Sequence, residues 1–214
     1  MEMHSTVRHD TAERHVRKYN SRNPVHRLAL GRFFDRIAAE LDALQPLTVL
    51  EFGCGEGLFL KEVQQRGVRF EDYVGLDLRD DALAMARSLH PRRRFENAGL
   101  FRWKAPADGF DLVIASQVLE HIPDPDPTFA RLVEMCSGHL LLTVPLEPWF
   151  RILNLVRGRD LRRLGNHPEH VNLWTFSKFR SFVADHAEVV RAYRVFPFTV
   201  MIARSKNPNA PTYP

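Results

Sequence analysis

Cysteine is scarce: the chain has two, Cys54 and Cys136. Two thiols cannot build a disulfide framework or a four-thiolate zinc site. Both can stay reduced, which fits a cytoplasmic protein. No stretch approaches the roughly 18 consecutive apolar residues that a bilayer span requires. Met1–Asp10 is polar and lacks the apolar segment of a secretory leader. There is no internal repeat and no low-complexity tract. Neither sign of charge dominates: 30 Lys and Arg stand against 26 Asp and Glu, a net +4. The isoelectric point is near 9.3. This mild basicity permits an acidic partner without demanding one. What remains is ordinary globular composition, with 44% hydrophobic and 26% charged residues in 214. That length suits one domain with additions, able to bury about 70% of the surface its unfolded form exposes.

Hydrophobic periodicity gives the order of elements. Leu30, Phe33, Phe34, Ile37, Ala38 and Leu41 follow helical spacing over His26–Leu44, and Pro46 ends the run. Leu47–Phe52 reads as a strand that stops at Gly53-Cys-Gly-Glu-Gly57. Leu58–Arg66 reads as a helix with Gly67 at its carboxyl cap. Then come a strand at Tyr73–Leu78, a helix at Asp80–His90 and a short strand at Arg94–Asn97. Phe110–Ala115 is a strongly apolar strand, and a short helix runs on through His121. Pro123–Pro127 reads as a turn, Thr128–Cys136 as a helix and Gly138–Val144 as a buried strand. A helix at Ser177–His186 precedes strands at Glu188–Phe196 and Phe198–Ser205. Alternating strands and helices predict an α/β fold, a doubly wound, mostly parallel sheet with helices on both faces. Only Pro197 separates the last two strands, so they are expected to pair antiparallel. Residues 1–45 read as an arm and capping helix, 46–205 as the main domain, and 206–214 as a fraying tail.

The strongest motif is Val49-Leu-Glu-Phe-Gly-Cys-Gly-Glu-Gly-Leu58. Glycines let the backbone bend and let a ligand approach without Cβ atoms in the way. The helix behind them offers unpaired N–H groups. Such a loop at the carboxyl end of a strand suits a nucleotide-like ligand. A dinucleotide site would need G-x-G-x-x-G/A, whose third position here falls on Leu58. A bare strand–helix turn needs fewer glycines than these three. Asp77 ends the second strand and can accept two hydrogen bonds from a ribose diol. Its other reading is a cap for the helix beginning near Asp80.

Together these stretches resemble class I S-adenosylmethionine-dependent methyltransferases. Leu50-Glu-Phe-Gly-Cys-Gly-Glu-Gly57 resembles their first motif and Gly75-Leu-Asp77 their second acidic motif. Phe110-Asp-Leu-Val-Ile-Ala-Ser-Gln-Val-Leu-Glu-His-Ile-Pro-Asp124 resembles the fourth-strand motif of the small-molecule, quinone-biosynthesis-like (type 11) branch. The resemblance implies a seven-stranded Rossmann-like sheet with an antiparallel closing strand, and S-adenosylmethionine as cofactor. It implies that Glu51 organises the loop and the cofactor's amino group, and that Gly53, Cys54, Gly55 and Gly57 line the methionine and ribose portions. Asp77 would hold the ribose and Leu78 pack on adenine. Asn97 and Ala98 stand where an acidic and a small residue usually read the adenine edge, so Asn97 is a departure. Ser116 and Gln117 would line the methyl-donor side.

Three histidines suit a base near neutral pH: His121, and His167 and His170 in Asn166-His-Pro-Glu-His170. Packing is the alternative role for each. No further ligands accompany the last two, so no metal is expected. Residues 146–173 read as a lid-like insertion. Within it Trp149, Ile152, Leu153 and Val156 fall on one helical face, with arginines around them. A lid over a small or lipid-like, even prenylated, acceptor is the favoured reading. Peripheral contact of 147–164 with anionic lipid is a second. Nucleic acid is not the expected partner, because stacking aromatics do not interleave with the basic residues. Two rival functions are an NAD(P)-linked oxidoreductase and a non-catalytic domain that senses or scaffolds by binding the nucleotide.

Overall fold

A computed structural model of the chain describes residues 24–149 and 171–206. The arm before Pro24, His167 and His170, the predicted helix beyond Trp149 and most of the tail lie outside the described residues. In chain order the elements are α1 (Pro24–Leu44), β1 (Thr48–Phe52), α2 (Leu58–Gln65), β2 (Asp72–Asp77), α3 (Asp80–Leu89), β3 (Arg94–Asn97) and β4 (Phe110–Ser116). A 3-10 turn at Leu119–His121 follows, then α4 (Pro125–Glu134), β5 (Cys136–Pro145), α5 (Phe176–His186), β6 (Ala187–Val195) and β7 (Phe198–Ser205).

The seven strands form one sheet in the order β3-β2-β1-β4-β5-β7-β6. The pairs from β3 to β5 are parallel. β7 runs antiparallel to both its neighbours, and the β6–β7 hairpin pairs Val195 with Phe198 across its turn. The predicted architecture is thus borne out, with β7 as the antiparallel strand.

Alternation along the strands divides the core. Val49, Tyr73, Leu112, Ile114, Leu141, Val200 and Ile202 face α1, α2 and α3, where Phe33, Phe34, Ile37, Phe59, Leu60 and Leu83 meet them. Leu50, Val74, Leu76, Val113, Leu140, Leu142 and Met201 face α4 and α5, against Phe129, Leu132, Phe179 and Val183. Strands covered on both faces read as near-continuous apolar runs, which is why β4 and β5 were plain in the sequence. Each fully buried large side chain contributes about 1.5–3 kcal/mol.

The predicted helix Thr128–Cys136 is displaced at both ends, and Cys136 already belongs to β5. Pro125, Asp126 and Pro127 belong to the first turn of α4, not to a separate turn. The first N–H groups of a helix have no partner within it, so prolines there forfeit nothing, and their fixed φ already suits a helix.

The order of strands positions the site. Chain connections leave β1 toward β2 on one side, and β4 lies on the other. The carboxyl ends of β1 and β4 therefore flank a crevice at the point where the winding reverses, where open α/β sheets bind ligands.

Candidate active site

Gly53, Gly55 and Gly57 all hold left-handed φ values, of 72°, 51° and 73°. At Gly53 a Cβ would lie 2.5 Å from Val118 Cγ2, beyond β4. At Gly55 only Arg79 Nη2, at 3.4 Å, would approach one, so that face of the loop is open. The loop is bound to β2 by backbone bonds, Gly53 N and Cys54 N donating to Leu76 O at 2.8 and 3.0 Å.

Asp77 closes the loop from the second strand. Its Oδ2 accepts from Gly55 N at 2.9 Å, and its Oδ1 from Arg79 N at 2.9 Å. Each carboxylate oxygen has room for about one further donor. The capping role fails: Arg79 occupies the N-cap position of α3, with no side-chain cap. Leu78 beside it is 70% exposed. An open glycine face, a carboxylate with spare acceptor sites and an exposed apolar side chain at the same edge fit an adenosyl group.

Behind the loop, Glu51 is 2% exposed on the face of β1 that Tyr73 shares. The Tyr73 hydroxyl donates to its carboxylate. Burial pushes the Glu51 carboxyl up to about 8, against the Tyr73 bond and with the help of the Asp77 charge. Cys54 is buried too. Burial, then the charges of Glu51 and Asp77, push its thiol far up, so it is no nucleophile near neutral pH.

Ser116 and Gln117 lie at the end of β4. Ser116 Oγ and Thr143 Oγ1 are 2.9 Å apart, and Gln117 Nε2 donates to the same Thr143 oxygen at 3.2 Å. Gln117 has φ of 60°, unusual without glycine, and its N–H is fixed by Thr143 O at 2.9 Å. Such strained residues gather at working sites. His121 ends the 3-10 turn, its Nε2 4.0 Å from Glu120 Oε1. Glu120 O accepts from Val171 N and Asn172 N, so residue 172 is stitched to this turn. Asn97 pairs with Asp77 in register. Its amide donates to Asp80 Oδ1 at 2.7 Å, tying β3 to the start of α3. Ala98 packs on the α4–α5 side of the core.

The structure thus gathers Glu51, the three glycines, Cys54, Asp77, Leu78, Ser116 and Gln117 around one crevice. It also adds residues that sequence reasoning passed over. His90 Nε2 lies 2.9 Å from Gly57 O, so the ring donates there, and burial pushes its pKa down. Glu56, inside the glycine loop, pairs with Arg79 at 3.0 Å, and Arg79 Nε stands 3.7 Å from Asp77 Oδ1. That guanidinium spans the loops that follow β1 and β2. Arg79→Met should destabilise the chain by about 2 kcal/mol in urea unfolding, because it strips a buried carboxylate of a charged partner. It should also weaken S-adenosylhomocysteine binding in calorimetry. Unchanged values for both would show the pair to be incidental.

A sequence profile of the Methyltransferase domain family matches residues 17–187. The chain belongs to that family. Trans-aconitate 2-methyltransferase of Escherichia coli O7:K1 is 29% identical over 152 residues, which cover 69% of this chain and 59% of that protein. Ubiquinone biosynthesis O-methyltransferase of Azoarcus sp. strain BH72 is 33% identical over 95 residues, 42% of this chain and 39% of that one. The chain spans about 59% of the length of the first of these relatives. Among solved structures, magnesium protoporphyrin IX methyltransferase from Synechocystis PCC 6803 with bound S-adenosylhomocysteine superposes with a TM-score of 0.67 at 18% identity, over 92% of this chain and 94% of that one. A plantazolicin methyltransferase complex with the same product has a TM-score of 0.68 at 13% identity, over 92% and 90%. These are likenesses of fold. The family resemblance read from the motifs is borne out.

Among the described residues there is no group of three or more His, Cys, Asp or Glu placed to hold a metal ion. No described helix is long and apolar enough to cross a membrane.

Proposed function

We propose that the chain binds S-adenosylmethionine at the carboxyl ends of β1, β2 and β4 and directs its methyl group to a small organic acceptor. The observation that carries this reading is the bond from Gly55 N to Asp77, which locks the open glycine face to a carboxylate that retains acceptor capacity. The cofactor supplies a sulfonium-bound methyl group that is already electrophilic. The chain's residues have then to hold donor and acceptor in line and exclude water. Asp77 receives the ribose hydroxyls, and Leu78 covers the adenine. Asn97 and Ala98 stand at the adenine edge. The backbone of Gly53–Gly57 carries the methionine and ribose portions, with Glu51 organising the loop from behind. Ser116 and Gln117, both anchored on Thr143, line the side facing the acceptor. His121, His167 or His170 takes a proton where the acceptor must lose one.

Relatives named for trans-aconitate and for ubiquinone biosynthesis favour a small acceptor. Exposed Trp149 at the start of 146–173 favours one with an apolar part, down to a lipid-like molecule, with the arginines of 147–164 available to an anionic surface.

Thermal shift with S-adenosylmethionine, S-adenosylhomocysteine and NAD tests the reading. Both adenosyl ligands should stabilise and NAD should not. Stabilisation by NAD alone would sink it. Adenosyl binding without methyl transfer to any acceptor would leave a sensor or scaffold.

A further inference from the structure

Two cavities of about 380 and 450 Å3 lie side by side where the first turns of α5 meet Leu146–Trp149 and the end of β6. They share Phe176, Ser177 and Arg194, and so form one groove. Its position is fixed by the sheet. Pro145 pairs with Phe198, which pairs with Val195. Leu146 N donates to Pro197 O and Glu147 N to Trp174 O. The groove therefore opens at the carboxyl edge of β5, the edge that carries Ser116 beside Thr143 on the neighbouring strand.

Its lining is chemically divided. Trp149, 51% exposed, and Phe176 give apolar surface. Ser177, Arg180, Ser181 and Ala184 form one stripe of α5, at i, i+3, i+4 and i+7. Beside these three small side chains Arg180 lines the cavity. The Arg194 guanidinium lies 4.1 Å from the Phe176 ring centroid, held by the ring face rather than by an acid. Arg36, Arg66, Arg79, Arg131 and Arg191 all pair with carboxylates. Among the described residues neither Arg180 nor Arg194 does. Glu147 also lines the groove, but it is 6% exposed and already engaged within the chain. Two cations without acids in a concave, partly aromatic lining match an organic acid with an apolar body. A guanidinium fork meets a carboxylate through two parallel hydrogen bonds.

We propose that this groove recognises the methyl acceptor as an amphipathic carboxylic acid, with Arg194 and Arg180 receiving its carboxylate and Trp149 and Phe176 covering its apolar part. This rests on the methyltransferase reading for the word acceptor, though the binding itself can be measured without it. The probes are 4-fluorobenzoate, 4-fluorocinnamate and 8-fluorooctanoate, each against its neutral amide. They are observed by fluorine NMR on the full chain, with and without saturating S-adenosylhomocysteine. At least one acid should bind about tenfold or more tightly than its amide. Arg194→Gln and Arg180→Gln, both at exposed positions, should each remove most of that preference while the melting temperature stays within about a degree of the parent. Equal binding of acids and amides, absence of binding by every acid, or a preference that survives the double variant would overturn the proposal. If S-adenosylhomocysteine fails to stabilise the parent chain, the proposed function falls, and the acid preference is still read from the samples without it.

Discussion

Asp77→Ala is expected to abolish the thermal stabilisation that S-adenosylhomocysteine gives the parent chain. Ligand at a hundred times its dissociation constant adds about 2.7 kcal/mol. For a chain of this size that raises the melting temperature by roughly 5–10 °C. In the proposed site the substitution removes the acceptor of two charge-assisted bonds from the ribose, each of about 1.5–3 kcal/mol. It also frees Gly55 N and Arg79 N from their shared acceptor, so the glycine loop keeps only its backbone bonds from Gly53 and Cys54 to β2. Both effects act on the same ligand, and the shift should fall to near zero. Asp77→Asn keeps one acceptor oxygen without the charge and should retain part of it. A full shift in the alanine variant would mean that the ligand binds elsewhere.

The second large effect concerns pH. In the unfolded chain Glu51 ionises near 4.5, whereas in the fold it keeps its proton up to about 8. Between those values the folded chain binds more protons than the unfolded one, so raising the pH removes stability. The loss runs at about 1.4 kcal/mol per pH unit, on the order of 5 kcal/mol across the window, and ceases below 4.5 and above 8. Glu51→Gln still accepts from Tyr73 but cannot ionise, so its stability should lack this slope. His90 and His139, both pushed down by burial, tilt the curve the other way below 6.5. The quantity to measure is therefore parent minus variant, from urea unfolding at several pH values without ligand. Parallel curves from pH 5 to 8 would show that water reaches Glu51 and that the carboxyl ionises normally.

The glycine loop was legible because three alternating glycines have no use in a plain turn, and Asp77 because it closes an apolar strand twenty residues beyond Gly57. The strands were legible because burial on both faces leaves no room for polar alternation. What was missed belongs to contacts across the fold. Arg79 and Glu56 are ordinary surface residue types, and only the juxtaposition of two loops makes them partners. His90 reaches Gly57 from the far end of α3, a contact without periodicity. Thr143 sits inside the hydrophobic run of β5, where nothing in the sequence sets it apart. The hairpin of β6 and β7 was predicted, but not that β7 would insert next to β5, because strand order is decided by which edge offers the better apolar cover.

That insertion bears on how the chain emerges from the ribosome. β5 carries Leu140, Leu141, Leu142 and Val144, all fully buried, and until β7 is made its only neighbour among the described strands is β4. Its other flank stays bare while some sixty further residues, β7 at their end, are made. A nascent or truncated chain that stops short of Phe198 presents a sticky, unpaired rim to every other such chain. Quality control of this sheet therefore hinges on β7.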